Sequence, residues 1–323
     1  MPPAVRRSAS IVLALFGALA FVPAATADRG GLTPPRPKSP NAEAITDTYY
    51  LVLLVTGIVF VLVHAALVVF IVRYRRRHRP VDAEGPQIHG NTRLEVLWTV
   101  VPLLIVVFLV AFVFVKLPEI ENVPQAQAAQ GENLRIEVEA KQFHFEFLYP
   151  DGAKTYETLV VPAGRTVELA VTAPDADVIH SWWIPALGGK IDAIPGRVNH
   201  TWFRANAPGE YHGACTEFCG LQHNAMRVRV LAVDEAAWER TRDELVGNGE
   251  AQFQSVCAKC HNLTGSQLVG PSLAGNPLLA DFRGLAELVR EGGNVMPAVG
   301  RGWSDAQVAS LVRYTRRFAE AGD

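Results

Sequence analysis

The chain has 323 residues, a formal net charge of −2 and 49% hydrophobic residues. This length allows two or more domains, and the near-neutral charge argues against nucleic-acid binding, which needs a basic surface. The hydrophobic content predicts membrane segments. All four cysteines fall in two short runs, at residues 215–219 and 257–260.

The first 27 residues predict a signal peptide. Arg6 and Arg7 precede the apolar run IVLALFGALAFV, and residues 25–27 (ATA) have the small side chains of a cleavage site. An uncleaved first membrane anchor is the alternative. Residues 28–46 are rich in glycine and proline and predict a flexible tether.

Two apolar stretches, residues 47–74 and 94–117, each have the ~20 residues that cross a bilayer as a helix. The loop between them, residues 75–93, is rich in arginine, so the positive-inside rule places it in the cytoplasm. The N-terminus and everything after about residue 118 are then expected outside. The sequence thus predicts a membrane protein with two transmembrane helices and with its later domains on the outer face.

Residues 118–235 predict a β-sandwich or barrel, because short alternating stretches such as LRIEVEA and TVELAVT are separated by turn signals. Residues 236–248 predict a linker helix. Residues 249–323 have helical periodicity and predict a small all-α domain on a short tether, with a last helix capped by Ser304.

The first cysteine run, CTEFCGLQHNAM, contains Cys215, Cys219, His223 and Met226, and His180 lies upstream near a strand end. Thiolates, imidazoles and a thioether are a soft ligand set that suits copper. Two bridging thiolates with one histidine for each copper would keep the charge low and the geometry rigid. The alternatives are a Cys215–Cys219 disulfide and one buried face of a helix.

The second run, CAKCH, is the signature of a covalently attached c-type heme. Cys257 and Cys260 would form the thioether bonds and His261 would be the fifth iron ligand. Met296 is the methionine that remains for the sixth position, since Met1 is the initiator and Met226 ends the copper run; Met/His ligation is usual in cytochromes c. A zinc site or a disulfide is the alternative.

The segments VIHSWWIPALGGKIDAIPGRVNHTWF and PGEYHGACTEFCGLQHNAM closely resemble subunit II of the heme-copper cytochrome c oxidases. With the C-terminal part, which is similar to class I cytochromes c, the chain resembles the caa3-type oxidases. The resemblance implies two transmembrane helices, a cupredoxin-like β-sandwich with a dinuclear Cu-A centre, and a heme c domain. The implied copper ligands are His180, Cys215, the carbonyl of Glu217, Cys219, His223 and Met226, and the implied magnesium ligand at the contact with subunit I is the Glu217 carboxylate.

The same resemblance implies a function and partners. Electrons from an upstream cytochrome c or quinol–cytochrome c reductase would enter at the heme, pass to Cu-A and continue to subunit I of a proton-pumping oxidase that also has a subunit III. Glu95 would lie near the mouth of a proton channel; without the family it is a polar residue at a helix start. Phe143 stands where many members carry the tryptophan through which electrons enter, or it merely fills the sandwich. His64, within the first membrane helix, is expected to pack against another subunit.

Two rival functions remain open from the sequence. One is a Cu-A-containing nitric oxide reductase subunit, which the run DAIPGR at 192–197 and Glu217 disfavour. The other is a membrane-anchored copper carrier, which would have no use for a heme domain.

Overall fold

The computed structural model describes residues 33–75, 85, 87–125, 132–263 and 268–319. The predicted signal peptide lies outside these residues. Along the described chain, two long helices are followed by ten strands and then by four shorter helices.

The two long helices are α1 (Pro40–Tyr74) and α2 (Thr92–Glu121), and both are long and apolar enough to cross a membrane. The 35 residues of α1 span roughly 50 Å, well beyond the ~30 Å of hydrocarbon. The helix therefore begins earlier than expected: the predicted flexible tether, residues 28–46, is helical from Pro40, a residue whose fixed φ suits a first turn.

The outer ends of both helices are bonded to the β-sandwich. Asn41 donates from Nδ2 to the carbonyl of Ile120 at 2.8 Å and to that of Trp202 at 3.2 Å. Trp202 also donates from its indole nitrogen to Ile120 at 2.9 Å. Burial of Asn41 between the two helices and the sandwich fixes the sandwich relative to the membrane, which is why residues 40–46 are not a tether.

Ten strands form two five-stranded sheets with the orders β3-β2-β1-β5-β8 and β4-β10-β9-β6-β7. The first strand alternates buried and exposed side chains, as the sequence pattern predicts for one face on a core. The fold confirms the predicted β-sandwich. The strands are β1 (Leu134–Lys141), β2 (His144–Leu148), β3 (Lys154–Tyr156), β4 (Thr158–Pro162), β5 (Val167–Thr172), β6 (His180–Trp183), β7 (Ile191–Ala193), β8 (Asn199–Phe203), β9 (Gly209–Cys215) and β10 (Arg227–Val233).

The predicted linker helix is α3 (Trp238–Val246), and it packs on the sandwich. Trp238 is buried in the sandwich core. Arg242 lies 5.2 Å from the centre of the Tyr149 ring and forms a 2.9 Å ion pair with Asp151. Stacking of a guanidinium on an aromatic ring is favourable, so α3 is part of the sandwich's packing as well as a connection.

The C-terminal domain is all-α, as predicted, with α4 (Gly249–Val256), α5 (Phe282–Glu291) and α6 (Asp305–Thr315). Ser304 and Gln307 form a reciprocal capping box, which confirms the predicted start of the last helix. The first and last helices cross closely because Gly249 has no side chain; a Cβ there would lie 2.0 Å from the carbonyl of Ser310.

The α-helical domain packs against the sandwich through Tyr156 at the end of β3. Its ring belongs to the core of the α-helical domain and lies 5.3 Å from that of Trp303. Its hydroxyl accepts a 3.1 Å hydrogen bond from Gln307. The sequence predicted only a short tether between the domains, because Tyr156 reads as an ordinary strand residue and its partners lie far along the chain.

Candidate copper and heme sites

The copper run lies at the end of one sheet, where three strands meet. His180 begins β6 and Cys215 ends the neighbouring β9, with Trp182 paired opposite Cys215. The loop after Cys215 returns to β10, and a hydrogen bond from the amide of Cys215 to the carbonyl of Met226 closes it at 3.0 Å. Residues 35 positions apart in sequence are thus brought together by strand pairing.

Five sulfur and nitrogen atoms form one compact cluster. The Cys215 and Cys219 sulfurs are 3.9 Å apart. His180 Nδ1 lies 3.9 Å from the first sulfur, and His223 Nδ1 lies 3.5 Å from the second. Met226 Sδ is 3.8 Å from the Cys219 sulfur, and the carbonyl of residue 217 is 3.2 Å from the Cys215 sulfur. Each sulfur therefore has one imidazole and one further soft or carbonyl donor beside it.

The His180 ring is oriented by a carboxylate. Its Nε2 lies 3.2 Å from Asp177 Oδ1, which leaves Nδ1 directed at the cysteine pair. Asp177 is itself fixed by the backbone amides of Gln142 and Val178. A carboxylate that holds the far nitrogen of a histidine is the usual outer partner of a metal ligand.

The two thiols cannot both ionise easily without a cation between them. Burial opposes ionisation of Cys215, but hydrogen bonds from His180 and backbone amides lower the pKa of its thiol overall. Burial and the neighbouring Cys215 raise the pKa of the Cys219 thiol. A metal ion resolves this conflict because it binds thiolates and displaces their protons, so these residues fit a pair of copper ions.

Two alternatives from the sequence are wrong. A sulfur separation of 3.9 Å is far from the ~2.05 Å of a disulfide. The run is also not one helix face, because Cys215 ends a strand and His223 begins the short 3-10 helix His223–Ala225.

Glu217 and Phe143 flank the copper cluster on the surface. The carboxylate of Glu217 is half-exposed and lies 3.6 Å from Lys190. A Cβ added to Gly220 would be 3.3 Å from the Phe143 ring, and Gln142 donates from Nε2 to the carbonyl of Cys219 at 2.5 Å. Phe143 thus covers the copper loop, while its role as an electron inlet stays a prediction.

The heme-attachment run is arranged for iron ligation. His261 Nδ1 bonds to the carbonyl of Pro271 at 2.9 Å, which leaves Nε2 for the metal. Gly270 permits this arrangement, because a Cβ there would lie 2.5 Å from the His261 ring. The amide of Gly270 bonds to the carbonyl of Cys260 at 2.7 Å and holds the two segments together.

The other predicted heme residues also fit the group. Burial raises the pKa of the Cys257 thiol to about 12, and a neutral thioether at this position has no charge to bury. Met296 packs against the core of the α-helical domain, at the end of that core formed by the loop after α5. The assignments of Cys257, Cys260, His261 and Met296 stay predictions that this arrangement supports.

Glu95 and His64 have local partners in the membrane helices. Glu95 accepts a 3.1 Å hydrogen bond from the amide of Asn91, whose side chain in turn caps the amide of Leu94. His64 bonds to the carbonyl of Phe60 at 2.8 Å and stacks on that ring. A role for Glu95 at a proton channel stays a prediction, because its observed contacts are those of a helix start.

His144 is a buried residue to which the sequence analysis gave no role. It begins β2 with its ring 6.0 Å from that of Tyr156, and its Nε2 has no hydrogen-bond partner among the described residues. Burial lowers the pKa of His144 to about 4; Lys141 and Lys259 add to the effect, while Glu146 opposes it. The only sequence signal was a histidine within an alternating strand.

This histidine predicts an acid-sensitive contact. The unfolded chain binds its proton near pH 6.5 and the folded chain only near pH 4, so folding stability is complete above 6.5 and falls as the pH drops towards 4. The folding free energy lost in this way is roughly 3 kcal/mol at most. Hydrogen exchange of the β2 amides, corrected for intrinsic rates, should show this slope in the wild type and not in His144→Gln. If His144→Gln kept the wild-type pH dependence, another titrating group would be its cause. His212→Gln, which changes an exposed histidine, is the control and should keep the wild-type pH dependence.

Comparison with known families divides the chain into the same three parts. Residues 27–117 match "Cytochrome C oxidase subunit II, transmembrane domain" and residues 136–233 match "Cytochrome C oxidase subunit II, periplasmic domain". Residues 244–314 match "Cytochrome C oxidase, cbb3-type, subunit III".

Whole-length relatives decide the family. A cytochrome c oxidase subunit 2 from Alkalihalophilus pseudofirmus is 32% identical, over 88% of this chain and 90% of its own length. The chain belongs to the cytochrome c oxidase subunit II family. A probable subunit 2 from Rickettsia bellii is 30% identical, over 74% of this subunit II and 94% of its own length. The crystal structure of the periplasmic domain of subunit II (CoxB) of Bradyrhizobium japonicum is 33% identical and covers 38% of this chain and 96% of that one, with a TM-score of 0.33.

This family membership confirms the family that the motifs predicted. This subunit II is therefore a membrane-anchored component of a heme-copper oxidase and acts together with other oxidase subunits. The periplasmic domain implies a Cu-A centre, and the C-terminal domain implies heme c. Among the described residues, His180, Cys215 and Cys219 form a group that could hold a metal ion, because one donor atom from each lies within 4.8 Å of the others.

Proposed function

We propose that this subunit II receives electrons from an upstream cytochrome c or quinol–cytochrome c reductase at heme c, passes them to Cu-A and delivers them to subunit I. Oxygen is reduced in subunit I and the reaction is coupled to proton pumping, in a complex that includes subunit III. The chain lies in the bacterial inner membrane with both redox domains on the periplasmic side, in contact with lipid through α1 and α2. Heme c and Cu-A would each accept and release one electron. The chain would supply their ligands and fix the distance between them.

The observation that carries this proposal is the packing of the heme domain on the copper domain. Tyr156 of the sandwich is buried in the core of the α-helical domain, and its carbonyl accepts from Ser255 at 3.4 Å, two residues before Cys257. A copper carrier would gain nothing from a heme motif held at this position. Two redox motifs in fixed contact support internal electron transfer.

The opposite side of the copper site faces the membrane helices. Gly189 lies against Ile45 of α1, since a Cβ there would be 3.5 Å from the isoleucine. The next residue, Lys190, contacts Glu217 in the copper loop. Phe218 and Leu221, 78% and 75% exposed, lie in the same loop, and exposed apolar side chains beside a polar rim are typical of a protein interface. This surface supports the delivery of electrons to subunit I.

Glu217 also supports the proposed magnesium site at that contact. Its carboxylate and that of Asp192 both approach Lys190, at 3.6 and 2.9 Å. Magnesium binds through one or two carboxylates and keeps several waters, so Glu217 fits as one ligand if the ion replaces the Lys190 ammonium. The remaining ligands would come from subunit I and water.

The test is a measurement of internal electron transfer in the purified oxidase. After rapid photoreduction of the heme, we expect the heme to be reoxidised and Cu-A to be reduced in one phase whose rate does not change when the protein is diluted. A rate that rises with protein concentration would show that the electron passes between molecules, and the proposed inlet would be wrong.

A further inference from the structure

Lys259, the third residue of the Cys257–His261 run, contacts the copper loop. Its ammonium donates to the carbonyl of Ala225 at 2.7 Å, and Ala225 directly precedes Met226. The side chain is only 12% exposed, although lysine is almost never buried without a partner. One of the two residues between the heme cysteines is thus hydrogen-bonded to the residue that precedes a proposed copper ligand.

The ion-pair partner of Lys259 is Glu157. Its carboxylate forms a 2.6 Å ion pair with the ammonium and is itself only 16% exposed. The backbone fixes Glu157, because its amide donates to Phe145 at 2.9 Å and its carbonyl accepts from Arg229 at 2.8 Å. Two sheets of the sandwich therefore hold this carboxylate in place, and it directs Lys259 towards Ala225.

We propose that Lys259 is a positioning residue that docks the heme-attachment run onto the copper loop and sets the rate of heme-to-copper electron transfer. The inference rests on the proposed function for the transfer itself, while the docking contact stands on the geometry alone. A buried, charge-assisted hydrogen bond is stronger than a neutral one and has a defined direction, which suits a contact that must keep one orientation.

The contact also makes a bonded route between the two sites. The route runs from Cys260 through the Lys259 side chain, across one hydrogen bond to the Ala225 carbonyl, and along one peptide to Met226. Electronic coupling decays less steeply through bonds than across a gap between surfaces. The transfer would move one electron. Ferrous heme iron would be oxidised to ferric iron, and the copper pair would gain that electron. No covalent bond would form or break, and no proton would be transferred.

The test uses the full chain in its oxidase, with Lys259→Gln and Lys259→Arg. In Lys259→Gln we expect hydrogen exchange of the 223–226 amides to rise about tenfold or more, because a buried charge loses its partner. Internal heme-to-copper transfer should slow, while a small external reductant should reduce each centre at the wild-type rate. Lys259→Arg keeps the charge and the donors and should restore most of the transfer rate.

Two further variants control for charge and folding. Arg135→Gln removes the same charge from a surface pair with Glu168 on the sandwich and should change neither readout. Adding Glu157→Gln to Lys259→Gln should recover part of the lost protection, because it removes the unpaired carboxylate.

Unchanged exchange in Lys259→Gln would overturn the docking contact, and raised exchange with a wild-type transfer rate would overturn the role in transfer. If the wild-type protein itself shows no internal transfer, the proposed function fails, while the exchange result still decides whether Lys259 docks the two domains.

Discussion

Replacing Cys219 by serine should abolish the dinuclear copper centre. Its sulfur lies 3.9 Å from that of Cys215, 3.5 Å from His223 Nδ1 and 3.8 Å from Met226 Sδ, so its loss removes a donor that contacts three other proposed ligands. A hydroxyl is a poor bridge for soft copper. We expect wild-type protein to bind two coppers and give a seven-line paramagnetic resonance pattern, because two equivalent nuclei share one unpaired electron, and Cys219→Ser to lose it.

The expected loss of copper affinity exceeds the roughly 10- to 100-fold that removal of an outer-shell partner costs. Asp177→Asn tests that comparison, since Asp177 touches His180 and not the sulfurs. Cys260→Ser is the matched control: it removes one thiol from the heme motif, outside the copper loop, and should leave the copper pattern intact. A single copper and a four-line signal in fully loaded wild-type protein would contradict the dinuclear assignment.

The sequence alone predicted that most of the clustered side chains lie close together, because these residue types are rare and fall in one short run. Cys215, Cys219, His223 and Met226 fall within twelve residues, so the loop had little freedom to separate them. His180 lies 35 positions upstream of Cys215; the residues alone offered it as a second imidazole near a strand end, and the family resemblance implied its role as a ligand. Strand pairing between β6 and β9 supplies the physical reason that it is brought to the site.

The contact between the two redox domains could not be predicted in the same way. Tyr156 and Glu157 look like ordinary residues in and beside a strand, and their partners Gln307 and Lys259 lie about 100 residues or more away. One sequence carries no pairwise signal for such contacts. The predicted beginning of α1 was wrong for a related reason. The Gly- and Pro-rich composition predicted a tether, but Asn41 is buried between the two long helices and the sandwich, and these contacts override the local preference.

Removing residues 249–323 should leave the Cu-A spectrum intact and strongly reduce turnover with the natural donor. A heme domain in the same chain presents its electron at an effective concentration in the mM range, so at micromolar donor we expect a loss of about three orders of magnitude. The docked contact through Tyr156 strengthens this expectation, because the heme run is already oriented towards the copper loop. The truncation retains α3, which packs on the sandwich through Trp238.

Two measurements separate a lost inlet from a damaged copper domain. The truncated oxidase should retain its copper content and should be reduced by a small artificial donor as fast as the full enzyme, because neither depends on the heme domain. Phe143, which covers the copper loop near Gly220, stands at the predicted inlet for electrons from a separate cytochrome. If the truncated enzyme accepts electrons from a soluble cytochrome c as fast as the full one does, that surface is a working inlet and the fused domain is not obligatory.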